Sequence, residues 1–116
     1  MKILVVDDDL HIQRLYKEEF EEEGYKVVIA SNGKEAIELF EKETPDIVTL
    51  DILLPDMDGI HILRQMKEKN PKTPIIMSTA YDYRDDFAVW ASEAYIVKSS
   101  DMNELKETIK KLIEKQ

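Results

Sequence analysis

Four apolar runs of this chain end on residues able to hold a cation or handle a phosphoryl group. Lys2 to Val6 runs into Asp7-Asp8-Asp9, Ile47 to Leu50 into Asp51, Ile75 to Met77 into Ser78-Thr79, and Ala94 to Val97 into Lys98. If these runs are parallel strands of one sheet, their carboxyl ends share an edge, which is where open α/β sheets bind ligands. Three acids in one crevice repel, and without compensation at least one would stay protonated. The cluster of Asp7, Asp8 and Asp51 therefore implies a bound cation, and all-oxygen ligation favours Mg²⁺, which keeps several of its waters. With a metal bridging one phosphoryl oxygen, Thr79 donating to a second and Lys98 offsetting charge on a third, Asp51 is placed as the attacking carboxylate. Ser78 takes the place of Thr79 if its strand ends one residue earlier.

The elements that must position these residues follow from periodicity. After Asp7-Asp8-Asp9, the apolar residues Ile12, Leu15, Tyr16 and Phe20 recur at helical spacing until Gly24 stops the helix, with Asp9 as its cap. Tyr25 to Ala30 is the second strand, Ser31-Asn32-Gly33 opens a second amphipathic helix to about Lys42, and Thr44-Pro45 ends it. The third strand runs to Asp51, and the loop Pro55-Asp-Met-Asp-Gly59 leads into a third helix carrying Ile60, Leu63 and Met66, capped by Asp58. Asn70-Pro71 and Pro74 bracket the loop before the fourth strand. Residues 81–92 suggest a short, irregular fourth helix through Phe87, Ala88, Trp90 and Ala91. The fifth strand, the N-cap candidates Ser99, Ser100 and Asp101, and a last helix with Leu105, Ile109, Leu112 and Ile113 complete five βα repeats. Such alternation predicts a parallel sheet with helices on both faces.

Composition bounds the rest. A chain of 116 residues has room for one domain, 1–116, with 43% hydrophobic and 35% charged residues as in ordinary soluble proteins. No stretch is apolar for long enough to cross a bilayer, and the N-terminus lacks a signal-peptide core, so no membrane partner is expected and the cytoplasm is the expected location. The lack of cysteine removes thiol catalysis, disulfides and thiolate metal sites. A net charge of −9 argues against nucleic acid, whose phosphates need a basic surface. His11 and His61 have no metal-ligand spacing and read as surface or packing residues.

Taken together, the motifs resemble the receiver domain of two-component response regulators. Ile3-Leu-Val-Val-Asp-Asp8 is similar to that family's first strand and acidic pair, Leu50-Asp51-Ile-Leu-Leu-Pro55-Asp-Met-Asp-Gly59 to its phosphorylation loop, Thr79-Ala80 to its hydroxyl, and Tyr95-Ile-Val-Lys98 to its switch aromatic and lysine. The resemblance covers essentially the whole chain. It implies a doubly wound, flavodoxin-like α/β fold with five parallel strands in the order 2-1-3-4-5. It also implies that Asp51 accepts phosphate from a histidine kinase or phosphotransfer protein. Asp8, Asp51 and the Leu53 carbonyl would then ligate Mg²⁺ directly and Asp7 mainly through water. Tyr95 would be a rotating switch residue, although it could instead simply fill the core. The downstream target would be a protein docking on the face formed by the fourth helix, fifth strand and last helix. With no output domain in the 116 residues, output is expected by protein contact.

Two further departures from the family pattern matter. Ser99 stands where the family usually has proline after the lysine, so a cis bond, which costs about 2.5–4 kcal/mol without proline, gives way to a trans bond with a reshaped loop or to local strain. The span from Thr79 to Lys98 is a few residues short and lacks the customary glycine turn, which makes the partner face atypical. Leu53 stands where a phosphohydrolase using an aspartyl phosphate commonly needs a second acid. The sequence therefore reads as a phospho-accepting signalling switch rather than a turnover enzyme, with a phosphorylation-independent adaptor as the alternative. Leu53 and Tyr81, bulky neighbours of the attacking-water path, imply a fairly long-lived phospho-form.

Overall fold

Side chains alternate direction along a strand, and that alternation sorts the apolar residues of this chain into two cores. The structure, a computed structural model, describes residues 1–79, 94–97 and 102–115. In chain order these residues form β1 (Lys2–Val6), α1 (Leu10–Glu22), β2 (Lys26–Ala30), α2 (Gly33–Glu43), β3 (Ile47–Leu50), α3 (Gly59–Lys69), β4 (Ile75–Thr79), β5 (Ala94–Val97) and α4 (Asn103–Glu114). All neighbouring strands pair in parallel, in the order β2-β1-β3-β4-β5. The expected doubly wound topology is therefore present. The irregular helix predicted over 81–92 lies outside the described residues.

Leu4, Val6, Val48, Leu50, Ile75 and Met77 pack with Ala36 and Phe40 of α2 and with Ile62, Leu63 and Met66 of α3. Ile3, Val5, Ile47, Ile76 and Ile96 face the other way, onto Tyr16 and Phe20 of α1 and Leu105 and Ile109 of α4. The central strands are thus buried on both faces, which is why their sequences are continuous apolar runs rather than alternating ones. Phe20 is fully buried, and burying a side chain of that size is worth roughly 1.5–3 kcal/mol. At the opposite end of the sheet from the acids, Lys2 and Asp46 clasp β1 to the start of β3. The Lys2 amide donates to Asp46 Oδ2 at 2.7 Å and the Asp46 amide to the Lys2 carbonyl at 2.9 Å.

Three helices start where the sequence places a capping side chain. Asp9 accepts from the amides of His11 and Ile12, Asn32 from Glu35, and Asp58 from Ile60. α1 closes on Gly24, whose φ of +92° an L side chain rarely adopts. Its amide donates to the Glu21 carbonyl and that of Tyr25 to the Phe20 carbonyl, satisfying two orphan acceptors of the last turn. That use of the Tyr25 amide places Tyr25 in the turn, and β2 begins one residue later than expected. The last helix departs further from expectation. Its cap position is Met102 rather than one of residues 99–101, and the Met102 side chain makes no capping hydrogen bond. Met102 is buried against the α1 and α4 core.

Candidate functional site

In the strand order β2-β1-β3, β1 is followed by a strand on one side and flanked by β3 on the other. The loops leaving β1 and β3 diverge there, opening the crevice in which α/β proteins of this type bind ligands. Asp7 and Asp51 are the first residues past these two strand ends. Both remain in the sheet's backbone ladder: the Asp7 amide donates to the Ala30 carbonyl at 3.1 Å and the Asp51 amide to the Val6 carbonyl at 3.0 Å. Their backbones are therefore as fixed as the core strands.

Asp7 is 2% exposed and Asp51 7% exposed, whereas Asp8 faces solvent. Each of the three offers a carboxylate oxygen, and these oxygens all lie within 4.8 Å of one another. At such a separation a like-charge pair costs on the order of 3 kcal/mol at an effective dielectric of about 20, less at the solvated Asp8. A divalent cation removes that cost. An all-oxygen donor set, two members fixed and buried and one open to water, fits Mg²⁺, which binds through one or two carboxylates and retains waters.

The surrounding polar contacts hold the acids in place. Asp7 Oδ1 accepts from the Asp9 amide at 2.9 Å, and Asp51 Oδ1 from the Leu53 amide at 3.3 Å. Gln13 of α1 donates from Nε2 both to the Asp7 carbonyl at 2.6 Å and to Ser31 Oγ at 3.0 Å, joining the acidic turn to the loop before α2. Leu53 sits in a tight loop closed by a bridge to Asp58 and by the Gly59 amide, which donates to the Ile52 carbonyl at 2.7 Å. Gly59 is required here, since a Cβ on it would lie 2.3 Å from the Asp51 carbonyl oxygen and 2.6 Å from Ile52 Cα. The Leu53 side chain is 48% exposed.

At the tip of the same loop, Asp56 reaches across to the start of α2. Its Oδ1 accepts from the Gly33 amide at 2.7 Å and its Oδ2 from the Lys34 amide at 3.0 Å. The Gly33 amide, then the Lys34 amide, hold the Asp56 carboxyl below the usual carboxylate range.

Asp7, Asp8 and Asp51 are thus brought together as their spacing predicts. Thr79 ends β4 in register with Val97, and Tyr95 pairs with Met77; the side chains of Thr79 and Tyr95, and Lys98, Tyr81 and the Lys98–Ser99 bond, lie outside the described residues. Ser78, the alternative to Thr79, is buried with its hydroxyl 2.9 Å from that of Tyr16, so it is engaged with α1. His11 and His61 are exposed. The Asp56 contact was not foreseeable from spacing, because it joins residues more than twenty positions apart through backbone amides; the Gln13 contacts, to the Asp7 carbonyl and the Ser31 hydroxyl, likewise left no pattern in the sequence.

Known proteins agree with this geometry. The response regulator TrrA of Thermotoga maritima, crystallised with Mg²⁺ and BeF, superposes with a TM-score of 0.93 at 45% identity, over 96% of this chain and 97% of that one. TrrA in complex with the histidine kinase ThkA superposes with a TM-score of 0.90 over the same shares. Sporulation initiation phosphotransferase F of Bacillus subtilis is 37% identical over 115 residues, covering 97% of this chain and 93% of its own. The chain spans about half or less of the longer regulatory proteins it also matches. Residues 3–110 match the response regulator receiver domain, and the chain belongs to that family of signalling domains.

Proposed function

We propose that Asp51 is the phospho-acceptor of this receiver and that its donor is the phosphohistidine of a histidine kinase or phosphotransfer protein. The observation that carries this reading is the convergence of the Asp7, Asp8 and Asp51 carboxylates at the β1/β3 switch point. It is supported by similarity to a regulator crystallised with Mg²⁺ and BeF and with a histidine kinase. An Asp51 carboxylate oxygen attacks phosphorus in line with the donor nitrogen. The P–N bond breaks, its electrons and a solvent proton pass to the imidazole, and an acyl phosphate is left on Asp51.

Asp7, Asp8, Asp51 and the Leu53 carbonyl are the proposed holders of Mg²⁺, whose charge, when bound, stabilises the transferring phosphoryl oxygens. The buried strand ends hold the nucleophile still, and the Leu53 amide orients one of its oxygens. To Thr79 we assign a hydrogen bond to a phosphoryl oxygen, to Lys98 neutralisation of another, and to Tyr95 the change of state that follows. The signal then passes to a protein partner on the face that includes β5 and α4. We place this activity in the cytoplasm; among the described residues no helix is long and apolar enough to cross a membrane.

Transfer from a phosphorylated kinase, followed by borohydride reduction and peptide mapping, tests the assignment. Modification at Asp51 supports it, and modification elsewhere or none contradicts it. Equal partner binding by wild type and Asp51→Asn would favour an adaptor that works without phosphate.

A further inference from the structure

The loop from Ile52 to Asp58 carries the proposed Leu53 ligand, yet little apolar packing holds Leu53 itself, whose side chain is half in solvent. At its base the loop is closed by the Leu53–Asp58 bridge and the Gly59–Ile52 hydrogen bond. At its tip both carboxylate oxygens of Asp56 are bonded to the first two amides of α2, and Met57 packs against the same helix start at Gly33, on the core side. The tip is thus clamped to an element that lies outside the acidic crevice. α2 already has its own cap, Asn32, whose Oδ1 accepts from the Glu35 amide at 2.8 Å. The amides that Asp56 takes are different ones, so its bonds add a connection between loop and helix.

We infer that Asp56 is a positioning residue: by fastening the tip of the 52–58 loop to the N-terminus of α2, it sets the direction of the Leu53 carbonyl toward the Asp7, Asp8 and Asp51 carboxylates and so sets the affinity for Mg²⁺. The inference rests on the proposed function only for the identity of the metal ligands. Without the Asp56 bonds the loop beyond its base is held only by the apolar packing of Leu54 and Met57, so the carbonyl samples a wider range of directions and the ordering cost falls on metal binding. Asn at position 56 retains one acceptor oxygen and restores part of the tether.

The test is Mg²⁺ titration calorimetry on wild type, Asp56→Ala, Asp56→Asn and Asn32→Ala, each with its thermal midpoint and its acetyl-phosphate uptake by intact mass. Asn32→Ala weakens the α2 cap without releasing the loop. The expected result is a Mg²⁺ Kd raised at least threefold in Asp56→Ala, raised less in Asp56→Asn, and unchanged in Asn32→Ala although its midpoint falls. Equal Kd values throughout, or equal weakening in Asp56→Ala and Asn32→Ala, overturn the inference. Should Asp56→Ala fail to fold, Asp56→Asn against Asn32→Ala decides it. A wild type that binds Mg²⁺ but takes no phosphoryl group overturns the proposed function while the Kd comparison still judges the tether. A wild type that binds no Mg²⁺ overturns both.

Discussion

The hydroxyls of Tyr16 and Ser78 lie 2.9 Å apart in the buried layer between α1 and the sheet. Ser78 immediately precedes Thr79, and the Tyr16 ring packs on Phe20 at a centroid distance of 5.4 Å, tilted by 52°. The pair joins α1 to the site end of β4. Losing the bond costs on the order of 1 kcal/mol whichever hydroxyl is removed, and removing both costs less than the two losses added. Tyr16→Phe and Ser78→Ala are each expected to lose stability in urea denaturation, and the double variant to lose less than the two losses added. Strict additivity would show that the hydroxyls do not interact.

Gly59 and Gly33 are expected to respond differently to alanine. A Cβ at Gly59 meets backbone, the Asp51 carbonyl and Ile52 Cα, whereas one at Gly33 meets the side chains of Met57 and Ile62. Backbone next to Asp51 yields only by shifting the acidic cluster. Gly59→Ala is expected to cost about 2–3 kcal/mol and to weaken Mg²⁺ binding. Gly33→Ala is expected to cost less, since Met57 can change rotamer. Denaturation midpoints with and without Mg²⁺ check both, and equal costs would contradict the close approach at Gly59.

Relief of repulsion within the acidic cluster is expected to show in the metal-free protein. Asp8→Asn raises the thermal midpoint without Mg²⁺, because it lowers the charge facing Asp7 and Asp51. Mg²⁺ stabilises wild type by about 1.4 kcal/mol at ten times its Kd and stabilises Asp8→Asn less. Scanning calorimetry across a Mg²⁺ series reads both effects. Identical Mg²⁺ responses would remove Asp8 from the ligand set.

Two titrations give opposite signs of pH dependence. The Gly33 and Lys34 amides lower the Asp56 carboxyl from 3.8, so its stabilisation is present above pH 3.8 and is lost as pH falls through the lower folded value. Lys106 is raised from 10.5, chiefly by its hydrogen bond to Glu19 at 2.6 Å. Its contribution is complete below pH 10.5 and is lost as pH rises through the higher folded value. The stability difference between wild type and Asp56→Asn should therefore be flat down to about pH 4 and then shrink. That between wild type and Lys106→Met should be flat up to about pH 10 and then shrink.

The sheet and the acidic cluster were legible because continuous apolar runs ended on acids, and because Asp9 and Asp58 cap the helices their positions announced. Where α4 begins was not legible. Met102, which takes the cap position, carries no capping group to mark it and is buried in the core between α1, α4 and the sheet. Tyr16 was read from its helical spacing as apolar core; only the fold shows that its hydroxyl reaches residue 78. The Asp56 tether was hidden for a similar reason, since a carboxylate bonded to backbone amides leaves no partner side chain in the sequence to announce it.

The central claim is that Asp51 takes up a phosphoryl group with the help of Mg²⁺. Intact mass after incubation with acetyl phosphate, with and without Mg²⁺, on wild type and Asp51→Asn, tests it most directly. The expected result is one added phosphoryl group on wild type in Mg²⁺, and none on Asp51→Asn or in excess chelator. No adduct on a folded wild type shown to bind Mg²⁺, or the same adduct on Asp51→Asn, would contradict it.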